Sequence, residues 1–125
     1  TVDSFIQGAC SYLPLKPEGR QEWRVWLAFW GRAIADERLR ARHRQYYSEI
    51  VRQLMALLPV LRPKSLPASE AQLERCADAV IAAIDGIGTR ATLEPERWPP
   101  ERQRETLFGL LFPLLDAFAN GKDVA

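Results

Sequence analysis

The sequence predicts an all-α fold of five helices. Three observations lead there. Apolar residues recur at the 3.6-residue helical period in five segments, prolines and glycines punctuate the gaps between them, and no stretch of useful length shows the two-residue alternation of a half-buried strand. With 125 residues, 47% of them apolar and 26% charged, the chain has an ordinary globular composition. A chain of this size can bury roughly two-thirds of the surface it exposes when unfolded.

The first helix is expected over about 2–13, with Val2, Phe5, Ile6, Ala9 and Leu13 on its apolar face, stopped by Pro14 and Pro17. The second spans about 20–35. Trp23, Trp26, Leu27, Trp30, Ala33 and Ile34 fall on one side, with Phe29 at the margin, an apolar load that suits a central helix. Asp36 can cap the third, which reaches about Leu58 and carries the stripe Leu39, His43, Tyr46, Ile50, Leu54 and Leu57. Three prolines between Pro59 and Pro67 make a linker. Ser69 and Gln72 form a capping box for the fourth helix, which runs to about Leu93 with Leu73, Cys76, Ala77, Val80, Ile84 and Ile87 on one face. Its many small residues (Ala79, Ala82, Ala83, Gly86, Gly88) suit a close helix–helix approach. Pro99 and Pro100 open the fifth helix, where proline is tolerated; Leu107, Leu110, Leu111, Leu114, Leu115 and Phe118 are its apolar positions. Pro113 lies inside it and should kink it, and Gly121 should stop it.

The chemistry of an enzyme is not visible. There is no glycine-rich phosphate loop, nucleophile elbow or zinc spacing, and a single histidine excludes the paired Glu-x-x-His pattern of di-iron bundles. No cofactor is expected. The two cysteines, Cys10 and Cys76, have neither metal nor redox spacing and read as small buried hydrophobes, with a reducing cytoplasm as the natural compartment. No apolar run approaches the roughly 18 residues of a membrane span.

The net charge of +1 argues against a dedicated nucleic-acid binder, although the first 62 residues carry ten basic and six acidic groups. Arg38, Arg40, Arg42 and Arg44 alternate on a helix that turns about 100° per residue, so they do not share one stripe and read as a solvated surface.

Several segments, taken in order, carry a family resemblance. The second helix supplies Glu22-Trp23-Arg24-Val25-Trp26-Leu27-Ala28-Phe29-Trp30, and the third Arg42-His43-Arg44-Gln45-Tyr46-Tyr47. The fourth supplies Ala82-Ala83-Ile84-Asp85-Gly86-Ile87-Gly88-Thr89-Arg90-Ala91, with the exit Leu93-Glu94-Pro95-Glu96-Arg97-Trp98-Pro99-Pro100-Glu101. The set resembles the C-terminal domain of TetR-family transcriptional repressors, most of all the choline-responsive subgroup of the betaine pathway.

The resemblance implies a five-helix bundle, orthogonal and antiparallel, in which 1–125 is a single effector-binding and dimerisation domain. It implies a DNA-binding helix-turn-helix domain N-terminal to this chain, which opens at Thr1 within a helical pattern. DNA would be contacted only through that head. It also implies an isologous homodimer, its last two helices and their twins forming a four-helix seam. Ala83, Gly86, Ile87, Leu107, Leu111, Leu114 and Phe118 are the expected interface residues.

The same resemblance places a small-molecule site among the helices before the seam and directs attention to Trp23, Trp26, Trp30, His43, Tyr46 and Tyr47. An aromatic stripe at helical spacing is more often plain core. Three tryptophans and two tyrosines on consecutive helices are nevertheless more rigid aromatic surface than a small core needs. Such walls suit an apolar effector or an organic cation. No acidic residue is expected on the aromatic face, which weighs against the cation. The competing class is a helical dimerisation module with a solid core and no ligand.

Overall fold

The computed structural model describes residues 1–122. Among these it forms five α-helices, α1 (Val2–Cys10), α2 (Pro17–Ala33), α3 (Glu37–Leu57), α4 (Glu70–Leu93) and α5 (Pro100–Ala119), a 3-10 turn at Leu58–Leu61, and no strand.

Most helix ends lie where their capping chemistry puts them. An Asp36 carboxylate oxygen accepts the amides of Arg38 (3.0 Å) and Leu39 (3.4 Å), and Ser69 and Gln72 close a reciprocal capping box on α4. Gly121 adopts φ +79° and lets Lys122 N reach Ala117 O (2.9 Å) while its own amide reaches Phe118 O (3.0 Å), the Schellman pattern that ends α5. α2 departs from expectation: it begins at Pro17 rather than near Arg20. Pro17 initiates this helix instead of merely ending the loop, because the first helical position needs no backbone donor. α5 runs unbroken through Pro113. Both Pro113 and Gly109 lie on its exposed face, so water can replace the backbone bond that the ring removes.

The core is built from α1, α4 and α5. Ile6, Ala9, Cys10 and Leu13 meet Cys76, Ala77, Val80, Ile87 and Ala91 of α4 and Leu107, Leu111, Leu115 and Phe118 of α5. Arg62 is buried over the far end: its guanidinium lies 4.3 Å from the Phe118 ring centroid while Nε donates to Phe118 O (2.7 Å) and Nη1 to Pro67 O (3.2 Å). A cation there satisfies a carbonyl at the negative end of the α5 dipole. Both cysteines are free and buried; desolvation pushes the Cys76 thiol up to about 11, against the pull of Arg62.

This arrangement corrects the expected seam. Ile87, Leu107, Leu111 and Phe118 were assigned to a partner subunit, yet all four side chains are buried in this chain's own core, Leu107 and Phe118 completely. The leucine-rich face of α5 covers α1 and α4 within the chain. Ala83 and Leu114 are half-buried at the edge of the core, and Gly86 faces outward with nothing within 4 Å of where a Cβ would stand. Leu110 and Phe112 remain 52% and 44% exposed on α5.

α2 and α3 pack as an outer pair against α4. α3 has no fully buried residue. Its inward stripe runs through Leu39, His43, Tyr47, Ile50, Val51 and Leu54, all half-buried, whereas Tyr46 and Leu57, expected on that stripe, are exposed. The arginine-rich turn of α3 is solvated as expected, with Glu37 paired to Arg40 and, at 2.9 Å, to Arg44.

Candidate functional site: an aromatic cleft between four helices

Because α3 stands off from the core, an open cleft of about 780 Å³ remains between α1, α2, α3 and α4. Small-molecule sites fall in the range of roughly 300–1,000 Å³. α1 contributes Phe5 and Ala9, α2 Trp23 and Trp26, α3 Tyr46, Tyr47, Ile50 and Leu54, and α4 Ile81, Ile84 and Asp85. Tyr12 and Leu57, both largely exposed, stand at the rim.

Trp26 is the hub of the wall. Its ring centroid lies 5.1 Å from Tyr46, 6.3 Å from Tyr47 and 5.4 Å from Phe29, and the Tyr47 plane is nearly parallel to it at 5°. Four aromatic rings from two helices thus gather in one region.

Asp85 projects into this cleft from α4, and Glu22 lines it from α2. The Tyr47 hydroxyl donates to Asp85 Oδ2 at 2.9 Å and receives the Trp26 indole N–H at a long 3.4 Å. Burial raises the Asp85 carboxyl above the usual carboxylate range, and the Tyr47 hydrogen bond pulls it partly back. Burial chiefly raises the Tyr47 phenol as well, so it is a donor at any ordinary pH. Among the described residues the Asp85 carboxylate has no cationic partner. This overturns the expectation that the aromatic face lacks an acidic group. A half-buried carboxylate left without a counter-charge inside a cleft marks a candidate binding site.

Four of the six residues singled out from sequence, Trp23, Trp26, Tyr46 and Tyr47, line the cleft; Trp30 and His43 do not. Trp23 is anchored by its indole N–H to Tyr12 O (2.9 Å) and meets Trp30 edge-on at 6.2 Å. Trp30 and His43 lie behind the wall, their centroids 5.9 Å apart, with His43 stacked on Tyr47 at 4.3 Å. His43 Nδ1 and Trp30 Nε1 are buried, and neither finds a hydrogen-bond partner among the described residues. A second groove of about 630 Å³ opens on that side, between α3 and α4, bordered by His43, Tyr47, Val51, Asp78 and Ile81.

Asp85 and the α1 residues are what sequence reasoning missed. Asp85 sits next to the apolar stripe of α4 rather than on it. The signal was there: Ile81 and Gly88, four before and three after, place it on a second inward line.

No solved structure matches the chain at a significant level. The HTH-type transcriptional regulator BetI of Vibrio parahaemolyticus serotype O3:K6 (strain RIMD 2210633) is 34% identical over 85 residues, covering 65% of this chain and 38% of that protein. The chain therefore matches well under half the length of this curated relative. Residues 7–113 match the family described as BetI-type transcriptional repressor, C-terminal. An all-helical fold and a match over most of its length agree, and the chain belongs to that family of TetR-type transcriptional regulators, as their C-terminal domain.

Proposed function

We propose that this domain senses a small organic cation and pairs with a second copy of itself, within a regulator whose DNA contact is made by an N-terminal helix-turn-helix domain. The relative's printed name supports the DNA-binding part. The observation that carries the sensing part is Asp85: a carboxylate with no cationic partner among the described residues, in an aromatic-walled cleft of about 780 Å³. Indole and phenol faces attract a cation by roughly 0.5–2 kcal/mol, and a nearby carboxylate adds a charge that such walls lack. The cleft favours this reading over a solid interaction module. The resemblance to choline-responsive repressors makes choline the first natural compound to try.

The test is a titration of the 125-residue chain followed by tryptophan fluorescence, with tetramethylammonium and the uncharged tert-butanol as probes. Saturable quenching by the cation alone is expected, since Trp26 lines the site. Equal responses to both would transfer the site to an apolar effector, and silence from both, with choline silent as well, would remove it.

A bound effector would act by preferring one spacing of the two DNA-binding heads over another. It can shift that equilibrium by no more than its difference in affinity for the two states.

For pairing, we propose the outward face of α4 and α5 centred on Gly86 and Leu110, with Ala83 and Leu114 at its edge. These residues are exposed or half-exposed and joined across one short turn. Gly86→Arg should convert a dimer to a monomer in sedimentation equilibrium. The same change should leave the isolated fold intact or firmer by about 0.5–1 kcal/mol, because glycine is the poorer helix former and the position is open. A native chain that sediments as a monomer at high concentration would overturn the seam.

A further inference from the structure

We propose that Tyr47 is a displaceable lock on Asp85, so that an effector cation takes over the carboxylate and thereby unties α3 from α4. This deepens the effector reading and rests on it. The tie is a chain of two hydrogen bonds across three helices: the Trp26 indole on α2 donates to the Tyr47 hydroxyl on α3, which donates to Asp85 on α4. With donor and carboxylate 2.9 Å apart, no atom fits between them. A quaternary ammonium carries methyl groups on every side. An ion that approaches Oδ2 along the line the hydroxyl occupies must move the phenol aside.

The ring has somewhere to go. Tyr47 and Ile81 border both the effector cleft and the separate α3–α4 groove of about 630 Å³. The Tyr47 side chain is thus the partition between two open spaces rather than part of a close-packed core. Behind it stands His43, stacked at 4.3 Å, whose buried Nδ1 makes no hydrogen bond among the described residues. The partition also lies on α3, the one helix of the five without a fully buried side chain to pin it.

The lock makes the empty state resist the ligand. A site whose competent form is a minor population shows a weaker apparent affinity, by the fraction that is competent. Removing only the hydroxyl should lift that resistance, while the ring face that attracts the cation stays.

Tyr47→Phe in the 125-residue chain should therefore bind tetramethylammonium more tightly than the native chain, by about tenfold, the scale of one hydrogen bond to a charged group. In the native chain, saturating tetramethylammonium should speed amide hydrogen exchange along the middle of α3, about residues 43–51. That second measurement needs no variant and stands even if Tyr47→Phe folds poorly. Equal or weaker binding by Tyr47→Phe would mean that hydroxyl and ion share the carboxylate, and the lock is wrong. Exchange in α3 that stays unchanged or slows when the ion binds overturns it too. Binding by neither protein would instead remove the effector reading itself, and the lock with it.

Discussion

Asp85→Asn is expected to weaken tetramethylammonium binding by about 10–100-fold while making the chain harder to unfold at neutral pH. The two effects share one cause. An ion pair near a protein surface is worth up to about 4 kcal/mol at 4 Å before desolvation is subtracted, and the aromatic faces alone supply about 0.5–2 kcal/mol. Removing the charge leaves only the smaller contribution. The amide oxygen of asparagine can still accept from Tyr47, so the local structure has little reason to change.

Stability moves the other way. The folded protein raises the Asp85 carboxyl above its ordinary value of 3.8, chiefly by burial. Folded chains therefore hold more protons than unfolded ones between that value and the raised one. Stability falls as pH rises through this window and stays lower above it. Asparagine has no such loss. The melting temperature of Asp85→Asn should exceed that of the native chain at pH 7, and the gap should close as the pH falls below about 4. Cation affinity of the native chain should fall over the same descent, as Asp85 takes up its proton. A variant that is less stable at pH 7, or that binds the cation unchanged, would count against Asp85 as the counter-charge. A residue that binding needs and folding would rather lose is a common compromise at functional sites.

Gly88→Ala should destabilise the chain by about 2–4 kcal/mol, although alanine is the better helix former. A Cβ on Gly88 would stand 2.2 Å from Cη2 and 2.3 Å from Cζ2 of Trp23. The indole cannot yield cheaply. It is buried, its N–H is held by Tyr12 O, and its edge meets Trp30. Displacing it forfeits a hydrogen bond of about 1 kcal/mol and much of the burial of the largest side chain at the α2–α4 contact. Since Trp23 also lines the cleft, the cation response should weaken in proportion. Urea unfolding of Gly88→Ala beside Gly86→Ala checks the mechanism. The two glycines are two residues apart on one helix, but a Cβ on Gly86 meets nothing within 4 Å. Equal effects from both would show that backbone propensity, not the indole, governs the site.

Much of the fold could be read from local chemistry. Asp36, Ser69 with Gln72, and Gly121 terminate helices where their side chains or backbone dictate. The start of α2 was misread because proline has two meanings near a helix end: it breaks an interior but begins a first turn. Tyr46 and Tyr47 show the limit of periodicity on α3. Both fit an inward stripe within the tolerance of a helical wheel, and only the position of α2 shows that Tyr47 turns in while Tyr46 stands at the mouth of the cleft.

By itself, the sequence determined five helices, their caps, their apolar faces and a concentration of aromatic rings on two neighbouring helices, because each of these depends on residues within a few turns of one another. The tertiary structure alone decided that Phe118 and its leucine neighbours cover this chain's own α1 and α4, and that Asp85 lies against Tyr47, 38 residues away in sequence. Helical periodicity says which side of a helix is apolar, but not which surface will cover it. A carboxylate becomes a binding group only when distant segments withdraw it from water and leave it without a counter-charge.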